Sequence, residues 1–163
     1  MNIPIPPMLA LQAKPGSFPF ASKYVPLPHN FQAVLGSQVQ DTNTGPTSSN
    51  RSATSTNGWF APLSSVDGQG APVSPISLSP THAQIWSTNG QIFIRDLESA
   101  FGTYVNGTRI SGDVALADND TLTLGIVVGR NTNTPTYVTD EHLKPVIAKV
   151  TCIGVSSRAR QRP

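Results

Sequence analysis

The chain has 163 residues, enough for one ordinary domain with a real core and hardly for two. Only 12% of them are charged and the formal net charge is +2, so there is no broad basic stripe of the kind a nucleic-acid binder carries; Arg158, Arg160 and Arg162 form the main basic cluster, a solvated tail over 156–163. One cysteine excludes an internal disulfide, no Cys/His cluster has zinc spacing and no run approaches the ~20 apolar residues of a membrane span, so the expectation is no metal, no cofactor, no direct membrane segment in this chain, and a reducing, intracellular, cytoplasmic setting.

In chain order, Met8 to Gln12 and Phe31 to Leu35 supply candidate strands, separated by a Pro-studded stretch from Pro15 to Pro28. From Ser37 to Ser74 the chain is rich in Ser, Thr, Asn, Gly and Pro, with Gly58-Trp59-Phe60 as its strongly apolar island. That stretch reads as a long loop-rich insertion, residues 37–74, within a domain spanning 1–155.

The clearest signal lies between His82 and Leu97, where apolar runs flank Asn89-Gly90, the dipeptide that best accepts the positive φ values of a type I′ turn. A two-residue loop there sets Thr88 against Gln91, Trp86 against Phe93 and Ile85 against Ile94. Asn106-Gly107 repeats the device and sets Tyr104 opposite Arg109. Leu122, Leu124, Ile126 and Val128 then alternate at period two, as do Val146, Ala148, Val150 and Cys152, so each series lines a buried sheet face and Cys152 is a small core hydrophobe. Short strands, turn chemistry and no helical periodicity predict an all-β antiparallel sandwich with little or no helix.

Two stretches carry a longer pattern: Leu78-Ser79-Pro80-Thr81-His82-Ala83, and Asp96-Leu97-Glu98-Ser99-Ala100-Phe101-Gly102-Thr103-Tyr104-Val105-Asn106-Gly107. With Leu116, Asp120, Leu122, Leu124 and Gly125 they resemble the signature of the forkhead-associated (FHA) family: Gly-Arg, Ser-Arg-x-His-Ala, Asp-x-x-Ser-x-Asn-Gly-Thr-Phe-Val-Asn-Gly and Leu-x-x-x-Asp-x-Leu-x-Leu-Gly. The likeness runs from about Met8 to Ile153 and is strongest from Leu78 onward. Asn57-Gly58-Trp59-Phe60 and the segments around Ile126-Val127-Val128 and Val146 to Val150 look like the sarcolemma-associated and fungal vacuolar-targeting and pheromone-arrest branch. Members of that branch commonly continue into a coiled coil and a membrane anchor, and its scaffold is related to the striatin-interacting phosphatase and kinase assembly; on this likeness the chain is a fragment or a shortened relative.

The resemblance implies an FHA/SMAD-like sandwich that recognises a phosphothreonine-containing partner peptide as a non-catalytic signalling scaffold. Such a ligand brings close to two negative charges and three acceptor oxygens, so its site needs converging donors and preferably a guanidinium. Carried over position by position, Ser79 is the phosphate-contacting residue retained, Ser37 stands after Gly36 where Arg is expected, and Pro80 replaces the next Arg without even an N–H. Thr81 follows in the same loop, and Ala100 and Phe101 occupy the region of the lost backbone-gripping Asn. Arg51, the one basic residue between Lys23 and Arg95, is a candidate substitute cation. By the same resemblance His82, Gly102 and Thr103 support the site structurally.

Asp96 and Glu98 alternate onto one strand face with no pocket implied, and Ser79 with His82 lacks the third residue and oxyanion pocket of a catalytic triad, so the protein is expected not to be an enzyme. The alternative function is a degenerate FHA scaffold that takes an unphosphorylated partner on an apolar surface around Phe101, Pro80 and Trp59-Phe60.

Overall fold

The computed structural model describes residues 6–38, 52–64 and 72–155. Arg51 and the tail 156–163 lie outside these residues, as does part of the 37–74 stretch. Eleven strands form the framework among the described residues: β1 (Met8–Ala13), β2 (Lys23–Pro26), β3 (Gln32–Ser37), β4 (Trp59–Phe60), β5 (Ala83–Thr88), β6 (Gln91–Asp96), β7 (Thr103–Val105), β8 (Thr108–Arg109), β9 (Val114–Leu116), β10 (Thr121–Leu124) and β11 (Val146–Ile153).

Turn chemistry fixes the register. Asn89 and Gly90 sit at φ 52° and 77°, and the strands they join pair Thr88 with Gln91, Trp86 with Phe93 and Ile85 with Ile94. Asn106 and Gly107, at φ 51° and 83°, close the second hairpin and set Tyr104 against Arg109. Trp86 and Phe93 stack with ring centroids 6.0 Å apart on the outer face of their sheet.

The strands form two sheets, a six-stranded one in the order β2-β1-β11-β10-β7-β8 and a five-stranded one in the order β4-β3-β5-β6-β9. All pairings are antiparallel except β3 with β4, which is parallel. The core between the sheets follows from period two. Leu9, Leu11, Leu35, Ile85, Ile92, Ile94, Leu122, Leu124, Val146, Ala148 and Val150 are fully buried, joined by Phe18 and Phe60 from connecting and edge segments. Each large aliphatic or aromatic side chain so buried contributes about 1.5–3 kcal/mol relative to exposure. Cys152 lies in this layer, 7% exposed, with its Sγ donating to Leu116 O at 3.6 Å.

The chain departs from the sequence expectation at β2 and at Gly125. The Pro-studded stretch contains β2, whose Pro26 is tolerated because the strand lies at a sheet edge. The alternation from Leu122 stops at Leu124: Gly125 turns the chain out at φ 93°, leaving Ile126 38% exposed. One short 3₁₀ turn, Asp140–Leu143, precedes β11, and among the described residues no helix is long and apolar enough to cross a membrane.

Candidate functional site

At one end of the sandwich the 77–82 segment, the end of β3 and the 97–102 loop are bonded to one another. Gly36 and Ser79-Pro80 lie backbone on backbone, so tightly that a Cβ on Gly36 would collide with the Pro80 carbonyl. The next N–H, that of Ser37, donates to Ser79 O at 3.2 Å. Thus Ser37 enters the site through its backbone, while its side chain is buried rather than presented to a ligand.

His82 is fully buried and joins the two loops through its ring. Ser79 N–H donates to Nδ1 at 3.1 Å, which makes Nδ1 the acceptor; Nε2 therefore carries the proton and donates to Gly102 O at 2.8 Å. Burial lowers the His82 pKa from its ordinary value, against opposing pulls from the Gly102 carbonyl and the Asp96 charge. The backbone of the same residue continues the brace, donating to Leu35 O at 2.9 Å and accepting from Leu97 N–H at 2.9 Å.

Asp96 holds the 97–102 loop from within. Its carboxylate accepts the Ser99 N–H at 3.0 Å, the Ser99 hydroxyl at 2.6 Å and the Thr103 hydroxyl at 2.6 Å. Ser99 Oγ in turn accepts the Gly102 N–H at 2.9 Å. Burial is the largest single influence on this carboxyl and opposes ionisation, but the bonds from Ser99 and Thr103 and the nearby His82 together hold its pKa below the ordinary value. The expectation that Asp96 and Glu98 share a strand face is thereby corrected: β6 ends at Asp96, and Glu98 sits in a left-handed turn at φ 55°. Asp96-x-x-Ser99 was a legible signal, since an Asp that accepts from the backbone and hydroxyl a few residues on is a common way to close a turn.

What faces outward is sparse. Ser79 Oγ accepts the Ala100 N–H at 3.2 Å, and among the described residues its own hydroxyl proton has no acceptor. Pro80, Thr81 and Ala100 are exposed. Phe101 is half-buried and its carbonyl accepts the Tyr104 hydroxyl at 3.1 Å. Phe60 is fully buried and so forms no part of an exposed apolar surface with Phe101 and Pro80. Trp59 and Phe60 instead line a separate groove of about 350 Å³ with Phe20, Lys23 and Leu63. There Lys23 Nζ donates to Thr54 O and Asn57 O at 2.8 and 3.1 Å and lies 5.1 Å from the Phe60 ring centroid, and burial lowers its pKa to about 8.

The sequence model of the FHA domain matches residues 67–125, the stretch that holds Ser79, His82, Asp96 and the 97–102 loop. That stretch is similar to the FHA domain by sequence and is set in an all-β two-sheet sandwich. No curated protein sequence matches the chain. Among solved structures, an FHA domain from Arabidopsis thaliana is 17% identical, with 96% of this chain and 93% of that one covered at a TM-score of 0.49. Full-length yeast Pml1p is 15% identical, covering 90% and 81% at 0.47. The FHA domain of a Chlamydia trachomatis protein is 21% identical, covering 73% and 88% at 0.44.

Proposed function

We propose that this FHA sandwich is a protein-interaction module that takes a phosphothreonine-containing partner peptide on the Ser79–Thr81 and Ala100–Phe101 rim, without chemistry of its own. The observation that carries the reading is Ser79: its backbone N–H is held by His82, its hydroxyl oxygen accepts the Ala100 N–H at the rim, and its hydroxyl proton is uncommitted among the described residues. Beside it the Thr81 hydroxyl is exposed and makes no hydrogen bond among the described residues, so two O–H donors stand on one short loop. The FHA match over these residues is the second support.

The donor set is thinner than a dianion prefers. Pro80 has no N–H, Ser37 turns inward, and the half-buried ring of Phe101 offers no amide. Each hydrogen bond to a charged group is worth about 1.5–3 kcal/mol, so the loss of one guanidinium weakens binding by roughly tenfold or more relative to a fully equipped site. A non-catalytic role is supported by the histidine geometry. Both His82 ring nitrogens are engaged, one by Ser79 N–H and the other by Gly102 O, so neither is positioned as a base for the Ser79 hydroxyl.

Within the same proposal, Asn57-Gly58-Trp59-Phe60 supports kinship with the sarcolemma-associated and fungal vacuolar-targeting branch, and the buried single thiol of Cys152 is compatible with an intracellular setting. Calorimetric titration with phosphothreonine, phosphoserine and unphosphorylated peptide libraries tests the function directly. The expected result is phosphate-dependent binding that Ser79→Ala reduces at least tenfold; binding indifferent to both phosphate and Ser79 would replace it with recognition of an unphosphorylated partner.

A further inference from the structure

Among the described residues one cation borders the 97–102 loop, and it is not a residue of the Ser-x-x-His segment. Arg109, at the end of β8, pairs across the hairpin with Tyr104, whose hydroxyl grips the Phe101 carbonyl. Its side chain lies against Gly102: a Cβ built there would stand 2.7 Å from Arg109 Nε and 3.1 Å from Cζ. Gly102 is favoured by its φ of 92°, and the guanidinium occupies the space a Cβ would take. Gly102 also accepts the bond from His82 through its carbonyl, so the residue that carries Arg109 on its outer side is the one that ties the loop to Ser79 on its inner side.

Of the other described cations, all but Lys149 on β11 are engaged. Arg95 is paired with Asp113 at 2.6 Å, Arg130 with Asp140 at 3.1 Å and Lys144 with Glu141 at 2.9 Å. Lys23 is enclosed by two carbonyls, and Lys14 donates to Thr121 Oγ1 at 2.7 Å. Arg109 is exposed and has no hydrogen-bond acceptor or ion-pair partner among the described residues. An unpaired guanidinium presents a planar fork of donors suited to a two-oxygen anion.

We propose that Arg109 is the cation of this binding site and takes an oxyanion of the bound peptide, either the phosphate itself or a carboxylate on a neighbouring residue. The inference rests on the peptide-binding reading above and adds the group that reading lacks. It assigns the cationic role to a residue beyond the loops, brought in by the Asn106-Gly107 hairpin and the missing side chain of Gly102.

The test uses two phosphothreonine peptide libraries, one with and one without Asp and Glu at the flanking positions, titrated into the wild type, Arg109→Gln, Arg109→Lys and Ser79→Ala. Arg109→Gln should bind at least about tenfold more weakly with an unchanged melting temperature, and Arg109→Lys should recover part of the loss. A loss on both libraries identifies the phosphate as the oxyanion; a loss confined to the acidic library identifies the carboxylate. If Arg109→Gln binds both libraries like the wild type while Ser79→Ala does not, the assignment of Arg109 is overturned and the peptide-binding reading stands. If the folded wild type binds neither library, both fall together.

Discussion

Ser79-Pro80-Thr81-His82 and Thr139-Asp140-Glu141-His142 use one backbone device twice. In each, the N–H three residues before the histidine donates to its Nδ1, at 3.1 Å from Ser79 and 2.8 Å from Thr139. In each, Nε2 reaches a distant carbonyl, that of Gly102 at 2.8 Å or of Leu63 at 3.2 Å. Both rings are fully buried. The difference lies in the hydroxyl. Thr139 Oγ1 turns inward to the ring of His142 at 3.0 Å, whereas Ser79 Oγ turns to the neighbouring loop and accepts from Ala100, which leaves its proton without an acceptor among the described residues. A shared brace thus serves structure alone in one place and also presents a donor in the other.

The largest effect that separates the two regions is expected at Asp96, for which the second brace has no counterpart. Asp96→Ala leaves the hydroxyls of Ser99 and Thr103 and the Ser99 N–H without their acceptor in a partly buried loop. A loss of about 2–4 kcal/mol is expected from several bonds to one charged group, read by urea unfolding. A change under about 1 kcal/mol would mean that the carboxylate does not hold the loop, and the contrast between the braces would shrink to Ser79 alone.

How legible was this from sequence? The hairpins and their register were, because Asn-Gly turns and period-two alternation act locally and agree with each other at Asn89-Gly90 and Asn106-Gly107. β2 and β4 were not read as strands: both are short, and β4 pairs in parallel with β3, a register that no turn specifies. The position of Gly125 overrode an apolar alternation that extended through Val128, since a residue at φ 93° leaves the strand whatever follows it. At the site, Ser79 and His82 stood out through the resemblance to the FHA signature. Glu98 was placed on the strand face of Asp96 because the alternation does not show that β6 ends at Asp96 and the chain turns left-handed at Glu98, and Arg109 was noted only as a cross-strand partner because its approach to Gly102 depends on a loop that no local pattern specifies.

Next in size are the histidines themselves. His82→Ala and His142→Ala should each cost about 1–3 kcal/mol, since each removes two buried bonds that join separate segments. Only the first should abolish peptide binding in a titration carried out where both variants remain folded. Equal loss of binding in both would show that the site depends on general stability and not on how His82 sets the Ser79 loop.

The smallest effect is a pH dependence specific to the first brace, and its sign follows from the neutral ring. His82 accepts an N–H at Nδ1 and is buried, so its pKa in the folded state is lowered from 6.5. At pH above that value the ring is neutral in the folded and unfolded chains alike, and it contributes no pH dependence. As the pH falls below 6.5 the unfolded chain takes up a proton that the folded one refuses, so stability declines until the pH reaches the folded pKa, with a slope of at most about 1.4 kcal/mol per pH unit. Asp96 acts in a separate window: its lowered pKa contributes stability that is fully present above 3.8 and is lost as the pH falls through its folded value. Urea unfolding of the wild type and His82→Gln between about pH 7.5 and pH 4.5 isolates the histidine, because contributions of unaffected groups cancel in the difference. The stability gap between the two proteins should narrow on acidification across the histidine window. A gap that stays constant or widens would mean that the folded protein takes up a proton at His82 as readily as the unfolded chain, which a ring accepting the Ser79 N–H at Nδ1 cannot do without losing that bond, and the account of how the loop is held would fall.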